Sequence, residues 1–219
     1  MEYDTLPHPG DTPAPWRQPL APAFAACSCR TMTPRHPAFF GYGSLVNRAT
    51  HGHAPAAPAR LAGWRRVWRH TALRPWPFLS VEPGTAGIDG LVAAVPRGDW
   101  AALDLRESAY RRHPLDPGLL SPAPDWATRA EIYAVDPAHA LAPRPLPILL
   151  SYLDTVVQGF LREFGEEGVA RFFATTVGWT ALLDDRAAPL YPRHQPLTAA
   201  ERALADAHAE SLGLPRQRA

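Results

Sequence analysis

Short apolar runs separated by glycine and proline occupy the middle of the chain. Runs rich in β-branched and aromatic residues and bounded by turn-forming residues are typical of β-strands. They predict strands at residues 38–42, 59–67, 78–82, 90–95 and 129–135. Before the last of these, residues 100–106 are predicted to form a helix, with Asp99 placed to cap its first turn. The proline-rich residues 113–128 are predicted to be a loop.

The last third of the chain is predicted to be helical, because its apolar residues recur at helical spacing. Gly165 is predicted to end the first helix, and Gly213 lies past the third. Thr198 and Glu201 form a T-x-x-E capping box, which favours a helix start. The apolar stripes of the first two helices are Leu149, Leu153, Val156, Val157, Phe160 and Phe164, then Val169, Phe172, Phe173 and Val177. Strands followed by helices indicate an α+β domain, and a small closed barrel is one form that it can take.

The N-terminal segment has a different composition. Residues 1–37 are proline-rich and aperiodic, so they are predicted to be a disordered leader before a single domain at residues 38–219. Met32 lies shortly before the first predicted strand, which raises the hypothesis that translation starts there. No apolar run approaches the roughly 20 residues needed to cross a bilayer. The N-terminus also lacks the order of a signal peptide, so a cytoplasmic location is expected.

Net charge is +1, which gives no electrostatic case for binding nucleic acid or an anionic membrane. The basic and aromatic residues 64–69 are better explained as a strand whose arginine stems cover apolar surface than as a base-stacking patch. Cys27 and Cys29 have no partners that would complete a zinc site. His51 and His53 form an H-x-H without a third ligand nearby, and they are predicted to be surface-loop histidines. No metal and no cofactor are expected.

Residues 39–45 read FFGYGSL, an apolar run that leads into two glycines and two hydroxyls. Glycine weakens strands, but it allows a bare backbone to approach a ligand. The following Val46 replaces the third glycine of a dinucleotide-binding loop, and a chain without lysine has no P-loop lysine. Ser44 does not lie in the G-x-S-x-G turn of a hydrolase nucleophile. Acid–base chemistry on a small ligand is the type of mechanism left open.

Glu107 is the carboxylate best placed for such chemistry. It falls at the predicted C-terminal end of the short helix, where the negative pole of the helix disfavours the charged form. If it also faced an apolar pocket, both effects would raise its pKa toward the range of a general base. The alternative is an exposed glutamate paired with Arg106 or Arg111, and the local pattern leaves both interpretations open.

The FGYGSL run and the later D-x-R-E-x-x-Y-R at residues 104–111 resemble the gamma-glutamylcyclotransferase family, in particular its ChaC-like branch with Y-G-S-L. The resemblance covers about residues 39–135. It implies a small mixed β-barrel with surrounding helices. It also implies a loop that holds the amino-acid end of a gamma-glutamyl substrate, formed by Gly41, Tyr42, Gly43, Ser44 and Leu45, with Glu107 as the catalytic carboxylate.

The activity implied by this resemblance is intramolecular aminolysis of a gamma-glutamyl compound, which yields 5-oxoproline and a free amine, amino acid or dipeptide without any cofactor. Tyr110 is a candidate donor to the substrate, with packing or a backbone hydrogen bond as the alternative. Tyr133 is expected to face the barrel interior, and Tyr191 to line the mouth of the site. The released amine and the oligomeric state stay open, and so does glutathione as a substrate, because E-S-A-Y after the helix departs from the pattern of the branch.

Two other classes of function are compatible with the sequence. One is a small-molecule binding or regulatory module that kept the fold and lost turnover, although the presence of Glu107 favours an enzyme. The other is an adaptor that uses the proline-rich leader to bind partner proteins, which rests on composition alone.

Overall fold

A long antiparallel hairpin forms the centre of the fold. In the computed structural model, which describes residues 34–142 and 146–218, strands β2 (Ala56–Thr71) and β3 (Arg74–Ala94) pair along nearly their whole length. Most of the predicted disordered leader lies outside the described residues. All of the described residues belong to one compact unit, and its first strand, β1 (His36–Gly41), begins just before the predicted boundary at residue 38.

The main sheet is mixed. It also contains β4 (Tyr110–Pro114), β5 (Leu120–Ser121) and β6 (Ala127–Val135), and the strand order along its main path is β4-β6-β1-β3-β2-β5. Two short strands off this path, β7 (Ala140–Leu141) and β9 (Thr176–Val177), also pair with β2. Strands β1 and β6 are parallel, whereas the other neighbours on this path are antiparallel. The sheet curls into a half-barrel. Within the described residues β4 and β5 do not pair with each other, so the expected small barrel is open.

Two strands predicted separately are parts of one strand. The turn-forming residues Pro83, Gly84 and Gly87 separate the strands predicted at residues 78–82 and 90–95, yet β3 runs through all of them. The register slips between Ala62 and Trp64 of β2, opposite this stretch, so the irregularity is absorbed as a bulge. Pairing with a long partner strand has overridden the local turn preference. The predicted loop at residues 113–128 likewise contains β5 and the end of β4.

Helix α1 (Ala101–Arg106) agrees with the prediction apart from its cap. Trp100 occupies the N-cap position, and the Asp99 carboxylate accepts from the Ala101 N–H at 3.3 Å. The helix ends at Glu107, the C-cap residue, whose N–H donates to the Leu103 carbonyl. The chain then enters β4 at Tyr110, so Glu107 lies in the turn between helix and strand.

The C-terminal third contains strands as well as helices. Helix α2 (Leu150–Thr175) is interrupted at Gly165, whose positive φ of 67° explains why the sequence placed a helix end there. Helix α3 (Ala199–Ser211) begins with the predicted capping box. A small parallel sheet joins β8 (Ile148–Leu149), β10 (Leu182–Asp184) and β11 (Arg216–Arg218). Among the described residues, no helix is both long and apolar enough to cross a membrane.

Candidate active site

The loop that follows β1 turns back tightly on itself. A side chain at Gly41 would place its Cβ 2.7 Å from the Cβ of Leu45, so only glycine allows this close approach. Gly43 precedes a single 3-10 turn, Ser44–Val46, and a Cβ there would lie 3.0 Å from the Tyr152 hydroxyl. Gly41 is therefore required by space, whereas a side chain at Gly43 would crowd the Tyr152 hydroxyl.

Two backbone N–H groups of this loop, those of Ser44 and Leu45, are left without a partner by the local turn. Val46 and Asn47 donate back to Gly43 and Ser44. Ser44 and Leu45 open the 3-10 turn, so their N–H groups have no partner inside it. Among the hydrogen bonds of the described residues, none has its donor at the N–H of either residue. Successive free N–H groups of this kind form a concave site that suits an anion.

Two adjoining cavities open beside the loop. Ser44, Glu107, Tyr110 and Tyr152 line both of them. The first cavity is completed by Phe40, Tyr42, Gly43, Leu45, Leu79 and Tyr133, and the second by Arg74, Phe78, Arg106, Tyr191, Pro192 and Arg193. Residues from β1, α1, β6, α2 and the segment after β10 thus meet at one site, with Glu107 in the shared wall.

The Glu107 carboxylate is largely buried, with 15% of its side chain exposed. Burial raises its pKa, and the positive charge of Arg106 opposes this without cancelling it. Arg106 donates from Nε to Glu107 Oε1 at 2.9 Å. Arg111, the other partner considered from sequence, instead pairs with Asp136. Glu107 therefore pairs with Arg106, as the alternative interpretation had it, but it is buried beside a cavity and not exposed.

Arg106 connects the carboxylate to the loop, a role that the sequence did not reveal. Its guanidinium donates to the Thr50 carbonyl at 2.8 Å and to the Ser44 hydroxyl at 3.3 Å while holding Glu107. Arg106 is itself 9% exposed. The guanidinium of Arg106 thus fixes the position of Glu107 relative to the Y-G-S loop, although more than 50 residues separate Glu107 from the loop in sequence.

Three tyrosines proposed from sequence line the first cavity, but their hydroxyls are held by the protein. Tyr42 donates to the Tyr133 carbonyl at 2.6 Å, and Tyr133 donates to Asp104 at 2.6 Å. Tyr110 donates to the Leu79 carbonyl at 2.9 Å, which is the backbone hydrogen bond considered as its alternative role. Burial raises the pKa of all three, so they stay neutral phenols. Each hydroxyl oxygen keeps a lone pair that can accept from a ligand.

The remaining proposed residues take different positions. Ser44 and Leu45 line the first cavity, whereas Gly41 lines neither and supports the turn. Tyr191 lines the second cavity and is buried. Tyr152, on α2, was missed because it belongs to a buried helix face whose residues the sequence marks only as core.

Arg66 is a fully buried arginine beneath the loop. Its Nε donates to the Tyr42 carbonyl at 2.9 Å, and the other nitrogens donate to the Asp89 carbonyl and the Thr175 hydroxyl. The guanidinium also lies 4.7 Å from the Phe160 ring centroid. Burial lowers its pKa to about 9. Residues two apart in a strand point to the same face, so Arg66 shares a face with the buried Trp68. This alternation is the sequence signal that could have identified Arg66 as buried.

His51 and His53 lie behind the loop and not in the cavity. His51 Nδ1 accepts from the His53 N–H, so its Nε2 carries the hydrogen and donates to the Leu45 carbonyl at 3.0 Å. Burial lowers the pKa of His51 to about 4. Within the described part of the chain, no group of three His, Cys, Asp or Glu side chains is placed to hold a metal ion.

No family model and no curated protein matches the sequence. Among solved structures, the chain resembles one titled gamma-glutamyl cyclotransferase at 14% identity and a TM-score of 0.48, covering 78% of this chain and 98% of that one. It also resembles YkqA from Bacillus subtilis at 18% identity and a TM-score of 0.45, over 65% of this chain and 56% of that one. A third similar structure is a yeast gamma-glutamyl cyclotransferase specific to glutathione, at 14% identity and a TM-score of 0.37, over 80% of this chain and 96% of that one. With TM-scores below 0.5, membership of that family is a proposal.

Proposed function

We propose that the protein is a gamma-glutamylcyclotransferase of the ChaC-like type, which converts a gamma-glutamyl amide or peptide into 5-oxoproline. The observation that carries the proposal is the convergence of Glu107 and the Y-G-S-L loop on one cavity, joined through Arg106. A buried carboxylate with a raised pKa is suited to proton transfer near neutral pH. A loop with free N–H groups is suited to an anionic ligand.

The reaction begins with proton transfer from the substrate's α-ammonium to the Glu107 carboxylate. The freed amine attacks the gamma-carbonyl, and a new C–N bond closes the five-membered lactam ring. Glu107 returns its proton to the leaving nitrogen as the original amide bond breaks. The second proton lost by the ring nitrogen ends on the released amine, which departs as an ammonium ion. Because nucleophile and electrophile belong to one molecule, the enzyme acts chiefly by holding a folded conformer.

The loop and the tyrosines have separate roles in this scheme. Free N–H groups at Ser44 and Leu45 receive the anionic oxygens of the substrate, the α-carboxylate and the oxyanion that develops on the gamma-carbonyl. Tyr42, Tyr110 and Tyr133 line the wall around the gamma-glutamyl group, with hydroxyl oxygens that can accept from its ammonium.

The test is release of 5-oxoproline by purified protein from glutathione, gamma-glutamyl-alanine and a gamma-glutamyl amine. We expect release from at least one of them and a loss of about 10²- to 10⁴-fold in Glu107→Gln, because glutamine cannot take the proton. Glu167→Gln is the matched control, since Glu167 is 94% exposed on α2. Release that is equal in Glu107→Gln and the control would refute the proton-transfer role.

The competing function is ligand binding without turnover, which the ion pair between Arg106 and Glu107 favours because a paired carboxylate is a weaker base. Calorimetric titration with 5-oxoproline and a gamma-glutamyl amide separates the two. Binding without 5-oxoproline release from any substrate would support the binding module.

A further inference from the structure

The two cavities that share Glu107 differ in charge. The first is lined by aromatic, small and apolar residues, with Glu107 as its one charged residue, whereas the second contains Arg74, Arg106 and Arg193. Three guanidinium groups and one carboxylate leave the second cavity with a charge of about +2 when Glu107 is ionised. The positive field is therefore confined to one side of the catalytic carboxylate.

Arg74 and Arg193 are not used to hold the fold by ion pairs. Arg106 is engaged by Glu107, Ser44 and Thr50. Arg74 makes a long 3.4 Å hydrogen bond to the Arg106 carbonyl and lies 5.4 Å from the Phe78 ring. Among the ion pairs of residues 34–142 and 146–218, none includes Arg74 or Arg193. Both are half-buried, and the carboxylate whose pKa their charges lower, that of Glu107, is already paired with Arg106.

The ends of a substrate can be assigned from this asymmetry, given the proposed function. The amide that is cleaved must lie at Glu107, in the wall common to both cavities. The loop residues Gly43 and Leu45 line the first cavity and not the second, so the first cavity is assigned to the gamma-glutamyl group. The leaving group then extends into the second cavity, toward Arg74 and Arg193.

We propose that Arg74 and Arg193 bind a carboxylate on the leaving group and so make the enzyme selective for gamma-glutamyl amino acids and peptides over gamma-glutamyl amines. The inference rests on the proposed function and extends it to the part of the substrate that is released. Guanidinium donors suit a carboxylate, and their hydrogen bonds are stronger when partly desolvated. Arg74 begins strand β3 and Arg193 lies in the segment after strand β10, so the central hairpin and the C-terminal third would set the specificity together.

The experiment compares two substrates that differ only in this charge, gamma-glutamyl-alanine and gamma-glutamyl-alaninamide. The ratio of their kcat/KM values for 5-oxoproline release is measured in the wild type, Arg74→Gln, Arg193→Gln and Arg97→Gln. Arg97 is an exposed arginine that lines neither cavity and controls for loss of charge. The ratio is independent of the fraction of folded enzyme, because misfolding affects both substrates equally.

We expect a wild-type ratio of about 10 to 100 in favour of the carboxylate, as for a charge-assisted hydrogen bond. It should fall toward 1 in Arg74→Gln and Arg193→Gln and stay unchanged in Arg97→Gln. A wild-type ratio near 1, or a high ratio that neither variant lowers, would overturn the inference while leaving the proposed function intact. If Arg74→Gln and Arg193→Gln reduced kcat/KM equally for both substrates, these arginines would bind the α-carboxylate of the gamma-glutamyl group. That result would also overturn the inference. No release from any substrate would overturn the proposed function, and this inference with it.

Discussion

Arg106 Nε lies 2.9 Å from Glu107 Oε1, so the cation that lowers the basicity of the carboxylate also fixes its position. The two are adjacent in sequence, yet both point into the site, because Arg106 ends α1 and Glu107 is its C-cap. Burial raises the pKa of Glu107 more than Arg106 lowers it. The pair therefore sets the pH at which the carboxylate becomes a base, and this balance is open to measurement.

Removing Arg106 should shift the pH dependence of turnover. A general base works when ionised, so kcat/KM rises with pH through the Glu107 pKa. Arg106→Gln removes the ion pair, so the acid limb of the profile should move to higher pH. Arg111→Gln is the control, because Arg111 is 62% exposed and pairs with Asp136. If the acid limb of the kcat/KM profile stayed at the same pH in both variants, Glu107 would not be the group that titrates.

Glu107→Gln should not weaken the fold. Because burial raises the pKa, the native state binds this proton more tightly than the unfolded chain does, and stability falls as pH rises through the window above the unfolded pKa. A neutral glutamine removes that cost at pH 7 and still accepts from Arg106. We expect denaturant unfolding at pH 7 to occur at the same or a higher midpoint. A clearly lower midpoint would mean that the ionised carboxylate stabilises the fold.

Arg66→Met should destabilise the protein by about 2–5 kcal/mol, because it leaves the buried Tyr42 and Asp89 carbonyls without their donor. It should also reduce kcat in the fraction that remains folded, since the loop loses its support from below. Arg65→Gln is the matched control: the neighbouring side chain is 51% exposed and pairs with Glu82, so about 0.5 kcal/mol is expected. If urea unfolding showed the same loss of stability in Arg66→Met and Arg65→Gln, the proposed role of Arg66 in supporting the loop would be contradicted.

Acid should destabilise the protein through His51. Its pKa is lowered to about 4, below the unfolded value near 6.5, so the unfolded chain binds the proton first as pH falls. The stability present above pH 6.5 is lost on going down to pH 4, by up to about 3 kcal/mol. His51→Gln keeps an N–H for the Leu45 carbonyl but does not titrate. Urea unfolding at pH 7 and pH 4.5 should show a smaller loss in the variant, and identical losses would exclude His51 as the cause.

The local pattern was sufficient for most elements and for the identity of the central residues. Strands β1, β2 and β6 and helices α1 and α3 follow from period, caps and turn residues, because each of these signals acts within a few residues. The same signals divided β3 in two and left β5 out. Both strands pair with residues of β2 that lie beyond the few residues over which these signals act, and this pairing outweighs the local turn preferences.

The sequence by itself determined that a glycine-rich loop would follow the first strand and that Glu107 would end a short helix. Only the tertiary structure decided that Arg106 would join them, that Arg66 would be buried beneath the loop, and that Arg74 and Arg193 would lie together beside Glu107. The physical reason is that burial and charge pairing depend on long-range packing. An arginine in a sequence reads as exposed until the fold withdraws it from water.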